Sequence, residues 1–398
     1  MRATTGAATG THVLDGTPIA LPGEALYRLE REDDLLTPAL LVFPGIVDAN
    51  VRAIVGLLGG SADRWRAHVK SAKIASVMRQ LTAAGVVNLK CATSLELRVA
   101  CEAGARDVLV AYPVVGPAVA RVASIAREHP ATAVSALVEH AGAVEAWRGA
   151  GVGLFVDVNP GMDRTGIPDT AVERVVETVR AIAAAGIRFG GIHYYDGHLG
   201  PSAPGWEARA HEGYDRLLDL VSALEHEGIA VPEVITAGTP AFAASLSYAG
   251  FSGRRFVHRV SPGTVVYGDA TSAAQLPAAW GLRPAAVVAS RVVSHPVAGR
   301  VTLDAGHKSV SADAGVPTCA VLGYPGLTPL KPSEEHLPVA VPEGMEPPPI
   351  GRVLYLVPRH VCPTVNNFDH AVIVRDGRAD RVDRVSARGR EEPIVPVT

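Results

Sequence analysis

Trp65-Arg66-Ala67-His68-Val69-Lys70-Ser71-Ala72-Lys73 is the stretch on which the reading of the fold turns. It places a lysine at the exit of a short strand, just before a segment of helical period, and the same strand-then-helix unit recurs along the chain. Counted from Lys70, the strands are Ala67–Lys70, Asn88–Thr93, Asp107–Tyr112, Ala133–Glu139, Gly153–Asn159, Gly190–Gly197, Glu233–Gly238 and Phe256–Gly263, separated by helices such as Ser94–Gly104 and Thr170–Ala185. Eight such units closing on themselves make an α/β protein with a (β/α)8 barrel. An open doubly wound sheet would carry a Gly-rich dinucleotide turn after its first strand, and none stands here.

Beyond Leu282 the helical period disappears and short alternating strands take over: Ala285–His295, Arg300–Asp304, Thr318–Leu322, Gly351–Val357 and His370–Arg375. The expected organisation is a barrel over residues 44–281 and a smaller all-β domain over 282–398, joined by residues 1–43. Residues 1 to 33 read as irregular. Ala39–Phe43 reads as a buried strand outside the barrel count, which assigns it to the β domain, and Asp48–Leu58 as a helix. The Pro-rich run between Tyr324 and Gly351 reads as a long ordered loop.

Composition narrows the function. Hydrophobic residues make up 48% and charged residues 19% of the 398, as in a globular protein, with no membrane-length apolar run. A net charge of -3 without a basic run argues against nucleic acid and leaves a small molecule as the expected partner. Met1–Gly16 carries neither a secretory nor a transit pattern, so a cytoplasmic location is the expectation. Four cysteines (Cys91, Cys101, Cys319, Cys362) are too few for a disulfide scaffold, and Cys91 and Cys101 read as buried thiols.

In a (β/α)8 barrel the active site lies at the carboxyl ends of the strands. Lys70 ends the first strand, and Asn159-Pro160-Gly161-Met162-Asp163-Arg164-Thr165-Gly166 follows the fifth. His193, Tyr194, Tyr195 and Asp196 end the sixth. Gly238-Thr239-Pro240 and Pro262-Gly263-Thr264 follow the seventh and eighth, where backbone N–H groups and hydroxyls suit a phosphate. Either sequence alone is an ordinary turn; two on adjacent barrel loops are more. A phosphate site beside a strand-end lysine points to pyridoxal phosphate, whose aldehyde condenses with a lysine amine.

Several motifs in fixed order carry a family resemblance. They are Arg66-Ala67-His68-Val69-Lys70 with Lys73, Gly161–Gly166, Pro262-Gly263-Thr264, Asp304-Ala305-Gly306-His307-Lys308, Ser333-Glu334-Glu335-His336 and Pro358-Arg359-His360-Val361-Cys362-Pro363. Together they resemble the fold type III pyridoxal phosphate enzymes that contain D-threonine aldolase and D-serine dehydratase, with alanine racemase as a more distant relative. The family usually has Pro where Ala67 stands and Thr-His where Ser71-Ala72 stand.

The resemblance implies that Lys70 holds the cofactor and takes the substrate α-proton, and that Arg164 faces the pyridine nitrogen. A permanently charged guanidinium there weakens the ring as an electron sink, so further activation is needed. The resemblance places that activation at His360 and Cys362, as ligands of a divalent metal, with the thiolate favouring zinc. On a β-strand, residues two apart share a face, so both could reach one ion. Tyr195 would contact the cofactor; Gly238, Thr239, Gly263 and Thr264 would hold its phosphate. His193 and Asp196 share the Tyr195 strand end without an assigned role. Asp304, Lys308 and Asp313 read as a polar hairpin over the substrate.

The activity so implied is a metal-assisted lyase that eliminates water from a D-configured β-hydroxy amino acid, giving a keto acid and ammonia. His-x-Cys is typical of the family's dehydratases and His-x-Asp of its aldolases. Retro-aldol cleavage to glycine and an aldehyde is the nearest alternative; an amino acid racemase and a non-catalytic cofactor-binding protein are the others. A homodimer with the active site at its interface is the family's expected assembly.

Overall fold

The computed structural model describes residues 10–391, and the chain divides into two compact units. One comprises Ile54–Lys70, Met78–Gly263 and the chain from Gly389; the other comprises the chain to Ala53, Ser71–Val77 and Thr264–Arg388. Numbered along the chain, β1 (Gly10–Leu14), β2 (Thr17–Leu21) and β3 (Ala39–Val42) come first. Then follow β4 (Arg66–His68), β5 (Asn88–Cys91), β6 (Asp107–Pro113), β7 (Ala133–Val138), β8 (Gly153–Asn159), β9 (Ile167–Pro168), β10 (Phe189–Tyr194), β11 (Glu233–Thr236) and β12 (Val257–Val260). The remainder are β13 (Ala286–Val297), β14 (Arg300–Leu303), β15 (Cys319–Val321), β16 (Thr328–Pro329), β17 (Leu337–Ala340), β18 (Val353–Pro358), β19 (His370–Arg375) and β20 (Arg378–Arg384).

In the first unit the parallel order β4-β5-β6-β7-β8-β10-β11-β12 is closed by a bridge between Trp65 and Val260, and β9 pairs only with β8. This is the (β/α)8 barrel that the strand spacing predicts. Strands β6, β7 and β8 read as near-continuous apolar runs because both faces are covered, and Leu109, Leu137, Phe155 and Ile235 cluster in the barrel core. The amino end is closed by charge. Arg66, fully buried, donates 2.7 and 2.8 Å hydrogen bonds to Glu233 and one of 2.7 Å to Asp107. These three are the first residues of β4, β11 and β6, so the ion cluster belongs to one end and leaves the other for chemistry.

The second unit holds a sheet of order β16-β17-β14-β13-β3-β19-β20, with β15 and β18 joined to it through β13. Strand β3 pairs with β13 and β19, and Val288, Leu303, Val339, Leu354 and Leu356 are among its buried core residues.

Three readings of this unit need correction. Residues 10–21 are not irregular: β1 and β2 form a hairpin on Asp15-Gly16, both at positive φ (49° and 77°), the backbone a tight two-residue turn requires. The same device at Asp376-Gly377 (49° and 75°) adds β20 to β19, a strand the sequence reading lacked. The run 324–351 is not one loop, because β16 and β17 lie within it and pair with each other.

Candidate active site

In the barrel unit, Lys70 lies two residues beyond β4 in a turn, half-buried, its backbone N–H 3.4 Å from His68 Nδ1. Arg164 is carried by the loop after β8, which the chain builds from its own side chains. The Asn159 carboxamide oxygen accepts from the N–H groups of Gly161 and Asp163, both at 3.0 Å, and Thr165 Oγ1 donates to Asp157 Oδ2 at 2.7 Å. Gly166, at φ +101°, passes so close to Asn159 that a Cβ would lie 2.8 Å from its backbone nitrogen. So fixed, the Arg164 guanidinium sits 4.9 Å from the centre of the Tyr195 ring, close enough for a cation–π contact.

Tyr195 follows β10 directly and lies parallel to the His193 ring, 2° between planes and 6.5 Å between centres. Gly238 lets it rest there, since a Cβ at that position would come 2.7 Å from Tyr195 Cε2. Gly263 is constrained in the same way: a Cβ would lie 2.4 Å from the His68 carbonyl oxygen. The barrel mouth therefore brings Lys70, Arg164, Tyr195, Gly238 and Gly263 onto a linked set of neighbours. Thr239 is buried beside Gly238, whereas Thr264 belongs to the other unit, its Oγ1 3.7 Å from Cys362 Sγ.

Sequence reasoning missed the most unusual group here. Lys90, only 1% exposed, extends from β5 to place Nζ 2.5 Å from Ser261 Oγ and 3.3 Å from His193 Nε2. His193 in turn binds Asp157 through Nδ1 at 2.7 Å. Burial pushes the Lys90 amine down to about 7, helped by the charge of Lys70 and opposed by Asp157 and Asp196. Burial likewise lowers His193, with Lys90 adding to the effect, and raises Asp196 to about 6. The signal was available: Asn88-Leu89-Lys90-Cys91 sets a cation in a strand that is buried at every position, and buried lysines are rare without a partner.

The barrel mouth suits pyridoxal phosphate on chemical grounds. Thr239 and Gly263 are buried, and among the described residues their backbone N–H groups have no protein acceptor, which a phosphate would supply. Tyr195 and Arg164 provide an aromatic and a cationic surface, and Lys70 an amine.

In the second unit, His360 and Cys362 are not on a strand, as the reading had them. β18 stops at Pro358, His360 caps the helix Val361–Asn366, and Pro363 sits in the first turn, where its missing N–H costs nothing. The two side chains nonetheless meet: the imidazole hydrogen-bonds the Cys362 thiol. Burial lowers the His360 pKa, but that bond, the Cys362 charge and Asp313 outweigh it and raise it to about 9. Asp313 holds Nδ1 at 2.6 Å, and Ser71 Oγ lies 2.8 Å from Cys362 Sγ. An imidazole oriented through Nδ1 by a carboxylate is the arrangement of a metal-binding histidine. Among the described residues no three or more His, Cys, Asp or Glu side chains gather as a metal-binding group; His360 and Cys362 offer two donors, fewer than the four of a closed structural site.

The expected polar hairpin is absent. Asp304 accepts from Thr37, Ser290 and the Arg291 N–H; Lys308 pairs with Glu334 and Glu335; only Asp313 reaches His360. All four cysteines are buried and none forms a disulfide. No described helix is long and apolar enough to cross a membrane.

Comparison with known proteins agrees with this geometry. Residues 45–271 match the family described as "Alanine racemase, N-terminal domain" and residues 285–374 that described as "Putative serine dehydratase domain". A D-threonine aldolase of Arthrobacter sp. is 30% identical over 392 residues, covering 94% of this chain and 96% of the relative. The crystal structure of D-threonine aldolase from Filomicrobium marinum superposes with a TM-score of 0.80 at 28% identity, covering 90% and 97% of the two chains. That of D-threo-3-hydroxyaspartate dehydratase from Delftia sp. HT23 gives 0.76 at 22% identity, covering 88% and 98%.

Proposed function

Because this chain belongs to the family of pyridoxal phosphate enzymes that contains D-threonine aldolase and D-serine dehydratase, we propose that it is a metal-assisted lyase that removes water from a D-configured β-hydroxy amino acid. The products are a keto acid and ammonia. The observation that carries this reading within the family is the sequence His360-Val361-Cys362, because the resemblance associates His-x-Cys with the dehydratases and His-x-Asp with the aldolases.

When bound, pyridoxal phosphate supplies an electron sink for charge developing at the α-carbon, and a divalent ion, zinc by preference for thiolate, supplies a Lewis acid for the β-hydroxyl. The protein's own groups do the rest. Lys70 holds the cofactor and its Nζ takes the α-proton. Thr239 and Gly263 donate backbone N–H groups to the phosphate, with Gly238 and Thr264 on the same loops. Tyr195 packs against the cofactor, and Arg164 keeps a fixed positive charge towards the pyridine nitrogen. His360 and Cys362 would hold the ion, with Asp313 fixing the imidazole. A homodimer is the proposed assembly, and the cytoplasm the proposed location.

Cleavage to glycine and an aldehyde is a second reading, favoured by the 30% identity to a D-threonine aldolase over nearly the whole chain. A screen of D- and L-β-hydroxy amino acids that scores ammonia and aldehyde separately decides between them. Ammonia without aldehyde supports the dehydratase, and release of neither removes both.

A further inference from the structure

His360 stands at the cap position of the helix Val361–Asn366 yet makes no side-chain cap hydrogen bond, its imidazole being engaged by Asp313 and Cys362. The first N–H of that helix, on Val361, has no carbonyl within the helix to accept it. Its acceptor comes from 92 residues earlier in the chain: Asp269 Oδ2, at 3.0 Å.

Asp269, only 2% exposed, is already the cap of another helix, Ala270–Gln275. Its Oδ1 accepts the Ser272 N–H at 2.7 Å, and its own N–H donates to Ser272 Oγ at 2.8 Å. One carboxylate therefore starts two helices, one with each oxygen. Beside it, Thr271 donates its hydroxyl (2.7 Å) and its N–H (3.3 Å) to the Arg359 carbonyl. The backbone is thus held on both sides of His360 by the same short segment, and the His360 carbonyl itself accepts from Thr364 Oγ1 at 2.9 Å. All of these residues belong to the second unit. A cap needs a single acceptor, which Ser or Asn supplies as well as Asp. A carboxylate, costly to bury, is accounted for by the second bond.

We propose that Asp269 is a positioning residue for the metal pair. It performs the capping task from which His360 is diverted, and so fixes the backbone that carries the imidazole and the Cys362 thiol. The proposal rests on the reading of His360 and Cys362 as metal ligands. Asp269 touches neither of their side chains; it acts through the Val361 N–H. A two-donor site needs this support, because its donors must be held to within about half an ångström by the structure around them.

The test titrates the cofactor-loaded protein, freed of metal by a chelator, with zinc, and with cobalt(II) as a spectroscopic stand-in whose thiolate charge-transfer band reports sulfur on the ion. Asp269→Ser keeps a good cap on Ala270–Gln275 but has one oxygen, so Val361 loses its acceptor. The zinc Kd should rise about tenfold or more, and the cobalt band should weaken while the cofactor absorbance stays unchanged. Ser272→Ala removes the other half of the capping box and leaves the Val361 bond in place, so it should bind zinc as the wild type does. If Asp269→Ser does not fold, Asp269→Asn, of nearly the same shape but with NH2 in place of one acceptor, is read in the same way. Wild-type zinc affinity in the Asp269 variant overturns the proposal, as do equal losses in the Asp269 and Ser272 variants, which would reduce the carboxylate to a helix cap. Uptake of neither ion by the wild type overturns the metal reading itself, and the proposal with it.

Discussion

Arg66 and Glu233 form a two-pronged ion pair inside the barrel, Nε to Oε1 at 2.7 Å and Nη2 to Oε2 at 2.8 Å, with the guanidinium fully buried. The pair locks the amino ends of β4 and β11, strands that are not adjacent in the sheet. Removing Arg66 leaves Asp107 without its guanidinium and Glu233 with Arg259 alone, and removing Glu233 as well leaves Arg259 with only Asp63. Arg66→Met should therefore cost about 3–5 kcal/mol of stability, and adding Glu233→Met should recover little of it. Denaturant melts of the three proteins check this; an unaltered Arg66→Met midpoint would show that the pair contributes nothing.

His258 offers a pH test in the same unit. It is buried against Phe251, ring centres 4.0 Å apart, with Nε2 2.8 Å from Thr236 Oγ1, and burial pushes its pKa down to about 3. Below about pH 6.5 the unfolded chain takes a proton here that the folded chain refuses, so stability falls as the pH drops from about 6.5 towards 3, at about 1.4 kcal/mol per unit. Replacing His258 by Phe should flatten that part of the stability profile. An identical acid slope in the variant would remove His258 as its source.

Lys70 should carry the cofactor. Purified protein is expected to be yellow, and borohydride should fix the cofactor on the peptide containing Lys70 and not on Lys73, whose Nζ is tied to the Ala387 carbonyl at 3.2 Å. Fixation at Lys90 would redirect the assignment to the buried amine, and fixation nowhere would end it.

Gly238→Ala tests the floor of the site. A methyl group 2.7 Å from Tyr195 Cε2 must displace the ring and with it the contact to Arg164, so cofactor affinity should fall about tenfold or more, equivalent to ~1.4 kcal/mol. The thermal midpoint should move little, because Tyr195 is only half-buried. Equal affinities in the two proteins would take Gly238 and Tyr195 out of the cofactor site.

The barrel was legible because strand and helical stretches alternate at regular spacing from Ala67 to Gly263, and strands buried on both faces, as Gly153–Asn159 is, leave apolar runs. The two hairpins were overlooked although Asp15-Gly16 and Asp376-Gly377 are strong turn signals; the flanking strands are half-exposed and mix polar with apolar residues, as Arg378–Arg384 does. The positions of Lys70, Arg164 and Tyr195 after barrel strands were legible from motif and strand spacing. Lys90 and Asp157 were not, because what distinguishes them is proximity in space: Lys90 and its neighbour His193 lie 103 residues apart. His360 and Cys362, read as metal ligands on a strand, stand instead at a helix start, since Pro358 and Pro363 decide locally for it.

Cys362→Ala separates cofactor binding from turnover. The variant should remain yellow, since Lys70 and the phosphate loops are untouched, yet lose activity by on the order of 100-fold or more, as expected when several kcal/mol of Lewis-acid stabilisation is lost. Added zinc should restore little, because a single imidazole is a poor site. Indifference to both chelator and substitution would count decisively against metal assistance.

The choice of reaction turns on how the β-hydroxyl departs. Elimination needs hydroxide, a poor leaving group, to be stabilised as it leaves the β-carbon; cleavage needs the same hydroxyl to lose a proton and the carbon–carbon bond to break. The imidazole–thiol pair is compatible with either demand, so the orientation of the substrate decides. With Cys362 standing where the aldolases usually have Asp, D-threo β-hydroxy amino acids should yield ammonia and a keto acid in equal amounts, followed by coupled assays of both products. Stoichiometric glycine and aldehyde from the same substrates would replace the dehydratase by the aldolase, while leaving Lys70 and the metal pair in their proposed roles.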